Sequence, residues 1–308
     1  MDLSVIIPTH RPHPGRLRRT LAALARQTLP AARWECVLVD NASVPPVDPA
    51  EWSTVGPAGL RVVVERRLGL TAARRAGVAA TTAPIIVMVD DDNELAPDYL
   101  ERVLAHFAAQ PRVGALGGRS RPEFETPPAD WKREFDDLIA CRDLGPNLIV
   151  ADGTPAPGSG LRLAYPRCAP IGAGLAVRRE ALAPWLADTG YRLTDRRGSD
   201  LSSSGDNDII LHLLGAGWQV AYCPDLSLTH LIPAGRLEVD YLGRLNRGIQ
   251  RSWMQVLLRH QASSWPPISR PGAVLRRWRA WFTYRAWQGP AAWIRWQGAC
   301  GHFEGRVE

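Results

Sequence analysis

Asp90, Asp91 and Asp92 stand side by side directly after the apolar run Ile85–Val89. Three adjacent carboxylates repel one another and are costly beside a core, so a positive partner is expected. A hard divalent cation with oxygen ligands, itself holding phosphates, meets that need. The plainer alternative is a solvated acidic turn, with Asp92 or Asn93 capping the helix that starts near Pro97. Asp206 is a second candidate. It follows the polar stretch Asp195–Gly205 and precedes the apolar helical pattern Asn207–Leu214. A carboxylate placed there can take a proton from an attacking hydroxyl or cap the helix. Thr9-His10-Arg11 and Asp40-Asn41 are polar residues that close two further apolar runs.

The elements that must carry these residues alternate. Leu3–Ile7 is a strand stopped by Pro8-Thr9, and leucines at 17, 21 and 24 give the spacing of a helix over Arg16–Arg26. Cys36–Val39, Leu60–Val64 and Ile85–Val89 read as strands, Thr71–Ala80 and Pro97–Ala109 as helices, with Thr71 as an N-cap. Strand–helix alternation predicts an α/β fold with a doubly wound, mostly parallel sheet and helices on both faces. Ligands in such sheets bind beyond the carboxyl ends of the strands. The three polar strand ends would therefore line one crevice, which suits a nucleotide.

Beyond residue 115 the pattern loosens. Pro122–Pro128 and Gly145–Gly160 read as loops, and Trp131–Cys141 as a helix. Ile171–Val177 reads as a strand whose Gly172 and Gly174 mark close approach by a ligand or a bulge. Ala181–Ala187 is a short helix, Asp195–Gly205 a polar, flexible loop, and Val220–Cys223 and Leu226–Leu231 two more strands.

The 308 residues suffice for a large core, and 45% apolar with 22% charged residues is ordinary for a soluble protein. The sequence has no transmembrane run, and Met1-Asp2-Leu3 lacks the basic start of a signal peptide, so a cytoplasmic protein is expected. The five cysteines are scattered, without the spacing of a zinc site or disulfide framework. The net charge of +6 is concentrated late. Between 241 and 303 there are ten arginines, seven of the twelve tryptophans, and no Asp or Glu. Arg276–Trp287 mixes the two types densely. Such a segment suits the headgroup region of a membrane. Packing on the rest of the chain or at a homodimer interface is the alternative. Nucleic-acid binding has no supporting motif and is not expected.

The ordered set of motifs resembles the family 2 glycosyltransferases, which have the GT-A fold. The resemblance rests on Ser4–Pro12, Asp40, Gly69–Arg74, Asp90-Asp91-Asp92, Gly172–Arg179, Gly205–Asp208, Gly217–Pro224 and Thr229-His230. Arg67 and Arg75 stand where the family often has Asn, and Gly205 where it usually has Glu. The resemblance covers 1–235 and implies a nucleotide-sugar-binding half (1–115) and an acceptor-binding half (116–235). A helical extension, 236–308, would follow.

By the same resemblance the reaction is inverting transfer of a sugar from a nucleotide-diphosphate sugar to an acceptor hydroxyl. The acceptor would be a sugar or a lipid-linked one, at the cytoplasmic face of the inner membrane. UDP-sugars are the default donor, with GDP- and dTDP-sugars open. Asp206 would be the general base. Pro8, Thr9, His10, Arg11, Asp40, Arg67, Arg74, Asp90 and Asp91 would bind the nucleotide-sugar. Asp92, Asp90 and His230 would hold Mn²⁺ or Mg²⁺, and Gly172, Gly174 and Asp208 would meet the acceptor. Two rivals stand beside this reading. A sugar nucleotidyltransferase would need a Gly-rich phosphate loop with a lysine, whereas Pro8–Arg16 has one glycine and no lysine. A nucleotide-binding scaffold without catalysis would tolerate Asp206→Asn.

Overall fold

A computed structural model describes residues 1–189 and 201–308. The chain begins with β1 (Leu3–Thr9), α1 (Pro14–Ala25), β2 (Trp34–Asn41), α2 (Pro49–Ser53), β3 (Arg61–Glu65) and α3 (Leu70–Ala79). It continues through β4 (Ile85–Met88), β5 (Asn93–Leu95), α4 (Tyr99–Ala109), β6 (Val113–Phe124), β7 (Ile149–Ala151) and β8 (Leu175–Arg178). Then follow α5 (Ala183–Ala187), α6 (Gly205–Gly215), β9 (Gln219–Ile232), α7 (Val239–Arg259), α8 (Arg270–Thr283) and α9 (Pro290–Glu304).

The described strands form one sheet in the order β3-β2-β1-β4-β8-β6-β9-β5, with β7 also on β9. The β3-β2-β1-β4 part is wholly parallel. β1 is buried along its whole length, which explains its near-continuous apolar sequence. The leucines at 17, 21 and 24 turn one face of α1 into a core. Each is worth about 1.5–3 kcal/mol in area removed from water. A second core on the other face of the sheet joins α3, α6 and the Met254–Leu257 turn of α7. Residues past 235 therefore share a core with the sheet. A third cluster ties Phe135 and Ile139 to Leu242 and Leu245 of α7 and Ile294 of α9.

Four local expectations change in the structure. Thr71 lies inside α3; its N-cap is Gly69 at φ 140°, a conformation favouring glycine. Trp131–Cys141 forms a 3-10 helix over Asp130–Ile139 rather than an α-helix. The region read as the loop Pro122–Pro128 overlaps β6, whose last residues pair with β9 despite Pro122. The expected strands Val220–Cys223 and Leu226–Leu231 are one strand, β9, with an irregularity in its pairing to β6 between Gly117 and Arg119. That irregularity passes over Pro224, which cannot donate to a ladder. Of the loop read at Asp195–Gly205, residues 195–200 lie outside the described ones.

Gly118 occupies the β6 side of the irregularity. A Cβ built there would fall 1.9 Å from the Leu226 carbonyl oxygen and 2.5 Å from that of Cys223. Both obstacles are backbone and cannot swing away.

A polar clamp joins three helices behind the sheet. Asp208, buried on α6, accepts a hydrogen bond from His260 Nε2 at 2.8 Å and faces Arg259 Nη1 at 3.4 Å, where α7 ends. Arg259 also pairs with Asp188, just after α5. Cutting one partner from such a network leaves buried charge imperfectly compensated.

Gly118→Ala is expected to lower unfolding stability by about 2–3 kcal/mol or more, read from the urea midpoint. Asp208→Ala should cost about 2–3 kcal/mol in the same measurement, because it unties α7 from α6. An unchanged midpoint for either variant would contradict the corresponding contact.

Candidate functional site

A cavity of about 450 Å³ opens beyond the carboxyl ends of β1 and β4. Pro8, Thr9 and His10 from the first strand end and the three aspartates after β4 line one part of it. Gly172 and Asp206 line another, and Tyr241, Leu245 and Ile249 of α7 a third. The parallel sheet thus delivers its strand ends to one crevice, as the alternation of elements predicts.

The acidic triplet divides its partners. The Asp90 carboxylate lies 3.8 Å from Arg74 Nη2, and the Arg74 side chain is only 3% exposed. The Arg74 Nε is buried without a hydrogen-bond partner. Asp91 accepts a hydrogen bond from Thr9 Oγ1. Burial, aided by the neighbouring Asp92 charge, pushes the Asp91 carboxyl up to about 7. Burial and crowding thus work against full ionisation of the triplet.

Asp92 is buried, and its Oδ1 accepts from Asn93 Nδ2 at 3.0 Å. Arg236 Nη2 donates to its Oδ2 at 2.9 Å, and His230 Nε2 lies 3.5 Å away. Arg236 Nη1 also approaches His230 Nε2 at 3.0 Å, while His230 Nδ1 is buried without a partner. Burial opposes the charge on Arg236, but Asp92, Asp90 and Asp91 outweigh it and raise its pKa. The carboxylate oxygens of Asp92 are of the kind that take Mn²⁺ or Mg²⁺, while the imidazole of His230 suits a transition metal rather than Mg²⁺. A tighter group of three ligating atoms among the described residues is Asp208, His212 and His260, within 4.8 Å of one another. There Arg259 already supplies positive charge.

Asp206 sits in the first turn of α6. Its Oδ2 accepts from the Gly172 N–H at 2.7 Å and its Oδ1 from the Asn207 N–H at 2.9 Å. These bonds fix the carboxylate toward the cavity, and the helix N-terminus favours its charge. A Cβ at Gly172 would come within 2.6 Å of Arg74 Nη2 and 3.3 Å of Asp206 Oδ2. Gly172 is therefore the point where Arg74, from α3, and Asp206, from α6, draw together. The expected strand Ile171–Val177 begins only at Leu175; the glycines precede it in a turn.

Other expected site residues lie elsewhere. Arg67 is turned out and paired with Glu65, its side chain 76% exposed. Asp40 is buried and spends its oxygens on the N–H groups of Ser43 and Val47, the role of a turn residue. The exposed Arg11, at φ 49°, donates its N–H to Ser43 Oγ. Gly174 accepts from the Tyr99 hydroxyl at 2.6 Å, and its φ of 72° with that hydroxyl beside it makes it a packing glycine. None of these four lines the cavity. Nor does Asp208, whose carboxylate meets His260 and Arg259. Two residues along a helix is about 200° around it, so Asp206 and Asp208 cannot share a face.

Sequence reasoning placed Asn41 at the crevice with the other polar strand ends and missed two contributors. Asn41 lines the cavity and stitches β2 to the loop before α3, donating to the carbonyls of Glu65 and Arg67 and accepting from the Gly69 N–H. The segment Asp137–Ala140 and the α7 side chains close the cavity from parts of the sequence far from any motif. Arg236 is the second. The excess of carboxylates was the available signal that an arginine should be sought.

Known proteins resemble this chain in sequence. The sequence pattern defining "Glycosyl transferase family 2" matches residues 4–169. Validoxylamine A glucosyltransferase of Streptomyces hygroscopicus subsp. jinggangensis is 32% identical over 157 residues, which cover 46% of this chain and 37% of that protein. An uncharacterised protein of Sinorhizobium fredii is 35% identical over 122 residues, 38% of this chain and 13% of its own length. The chain thus spans well under half the length of these relatives. A crystal structure of S. aureus TarS (1–349) aligns with 99% of this chain and 90% of its own, at 13% identity and a TM-score of 0.48. With more than half of its residues matched by the family pattern, the chain, a GT-A fold, belongs to glycosyl transferase family 2.

Proposed function

We propose that this protein transfers a sugar from a nucleotide-diphosphate sugar to an acceptor hydroxyl with inversion at the anomeric carbon. The observation that carries the reading is the position of Asp206 in the same cavity as the acidic triplet, its oxygens held by two backbone N–H groups. An acceptor hydroxyl is a poor nucleophile until its proton leaves as it attacks. Asp206 takes that proton. Displacement from the face opposite the leaving group inverts the centre.

The leaving diphosphate gains negative charge as the glycosidic bond breaks. Arg74, buried at the cavity wall and 3.8 Å from Asp90, is poised to meet a phosphate oxygen. Asp90, at the strand end, is left to accept from a ribose hydroxyl. Thr9 holds Asp91, and Pro8 and His10 border the nucleotide. Asp92 and Asp90 would hold Mn²⁺ or Mg²⁺, with His230 joining for Mn²⁺, and the ion when bound would act as Lewis acid toward the diphosphate. The name of the Streptomyces relative makes glucose the first sugar to try, carried on UDP as the default nucleotide before GDP and dTDP.

A second reading follows from the Arg236–Asp92 contact. There the protein's own guanidinium meets the carboxylate expected to face the ion. On this reading Arg236 supplies the positive charge and transfer needs no metal. The two are separable by one titration series.

Asp206→Asn should reduce kcat by about 10²–10⁴-fold while leaving the affinity for UDP unchanged; a variant with wild-type turnover would remove Asp206 as the base. Calorimetry of UDP with and without Mn²⁺ is expected to show binding that needs the ion and is lost in Asp92→Ala. Binding independent of metal but lost in Arg236→Gln would favour the second reading instead.

A further inference from the structure

The last helical pair is assembled inside out. Helix α8 turns small residues toward the protein: Ala273 and Ala280 are buried, and Trp281 reaches α9, where it meets Trp296 edge-on at 4.8 Å. Its large apolar side chains face away. Val274 is 52% exposed, Leu275 61%, Trp278 65% and Phe282 61%. At 100° per residue these four fall within about a 100° arc of the helix. Trp287 extends the patch, its ring 5.9 Å from that of Phe282 and itself 55% exposed. A contiguous face of this kind is costly to leave in water and marks a contact surface.

The charges around the face select the partner. Arg270 and Arg279 border the stripe and Arg285 follows the helix, all exposed. No Asp or Glu occurs from 241 to 303. A two-fold interface between copies of this chain would set the patch against itself, arginine facing arginine, with no carboxylate in the segment to separate them. An anionic bilayer supplies what a second copy lacks: phosphates for the arginines and an acyl boundary for Trp278 and Phe282. None of the described helices is long and apolar enough to cross a membrane. The fit is therefore to lying in the headgroup plane.

We propose that α8 is a membrane-surface helix, docking the protein on anionic lipid through Val274, Leu275, Trp278, Phe282 and Trp287, with Arg270, Arg279 and Arg285 at the phosphates. The surface is separate from the sugar-transfer cavity and does not depend on that reading. α7 lines the cavity and packs on α9, which carries α8, so the docked face is joined to the site through two helices.

The test is co-sedimentation of the full chain with vesicles of phosphatidylcholine alone or mixed with phosphatidylglycerol. Wild type should pellet with the anionic vesicles, shift its tryptophan emission to the blue, and release as salt rises. Trp278→Ser/Phe282→Ser and Arg270→Gln/Arg279→Gln/Arg285→Gln should each lower the partition at least about tenfold. Their thermal unfolding should match wild type, because the altered side chains are exposed. Absence of vesicle binding would overturn the proposal, as would binding unchanged in both variants. So would a dimer that the Trp278→Ser/Phe282→Ser variant dissociates without any vesicle binding, or retention on a single-stranded oligonucleotide in place of vesicles.

Discussion

Mutual repulsion of the three carboxylates after β4 is the constraint around which the cavity is organised. A buried strand leads into them, so they cannot all be dispersed into water. Partners are drawn from distant parts of the chain: the guanidinium groups of Arg74 from α3 and Arg236 from the turn before α7, and the imidazole of His230 from β9. Burial and the neighbouring Asp92 charge raise the Asp91 carboxyl. A site with crowded carboxylates and buried cationic side chains suits a ligand that brings phosphates together with a cation.

The same constraint explains why α7 belongs to the site. Arg236 reaches Asp92 only because the chain turns back after β9, and α7 follows immediately. Its Leu245 then closes the cavity while packing against Phe135 and Ile139, and its far end is held to α6 through Asp208. The helix therefore couples the acidic triplet to the element that carries Asp206. It also supports α9 and, through it, the exposed face of α8. The proposed sugar chemistry and the proposed surface contact thus share one scaffold although their residues do not overlap.

Glycines place the two halves of the site. Gly172 lets Arg74 and Asp206 approach one another across a single Cα, and Gly118 lets β6 run against the carbonyls of Cys223 and Leu226. Both tolerances concern packing of backbone against groups far away in sequence. The motif segment around Gly172 was visible in the sequence, while the need at Gly118 was not, because nothing local marks where a partner strand will kink around Pro224.

The strands of the parallel half, the helices after them and the three polar strand ends were legible in the sequence. Each depends on a local apolar run or a 3.6-residue spacing, and the sheet-edge rule then gathers the ends. The order of short motifs pointed to the family for the same reason: it is a property of the chain, not of its folding. Tertiary structure decided the direction of individual side chains. Asp40 and Asp208 have the right type and place in sequence, but one closes its own turn and the other faces α7. Arg236 has no motif, yet it lies on Asp92. Hydrogen-bond partners and cavity walls arise from contacts between residues widely separated along the chain. The helix period and the turn geometry fix which way each carboxylate points, and sequence spacing alone cannot supply the partner it meets there.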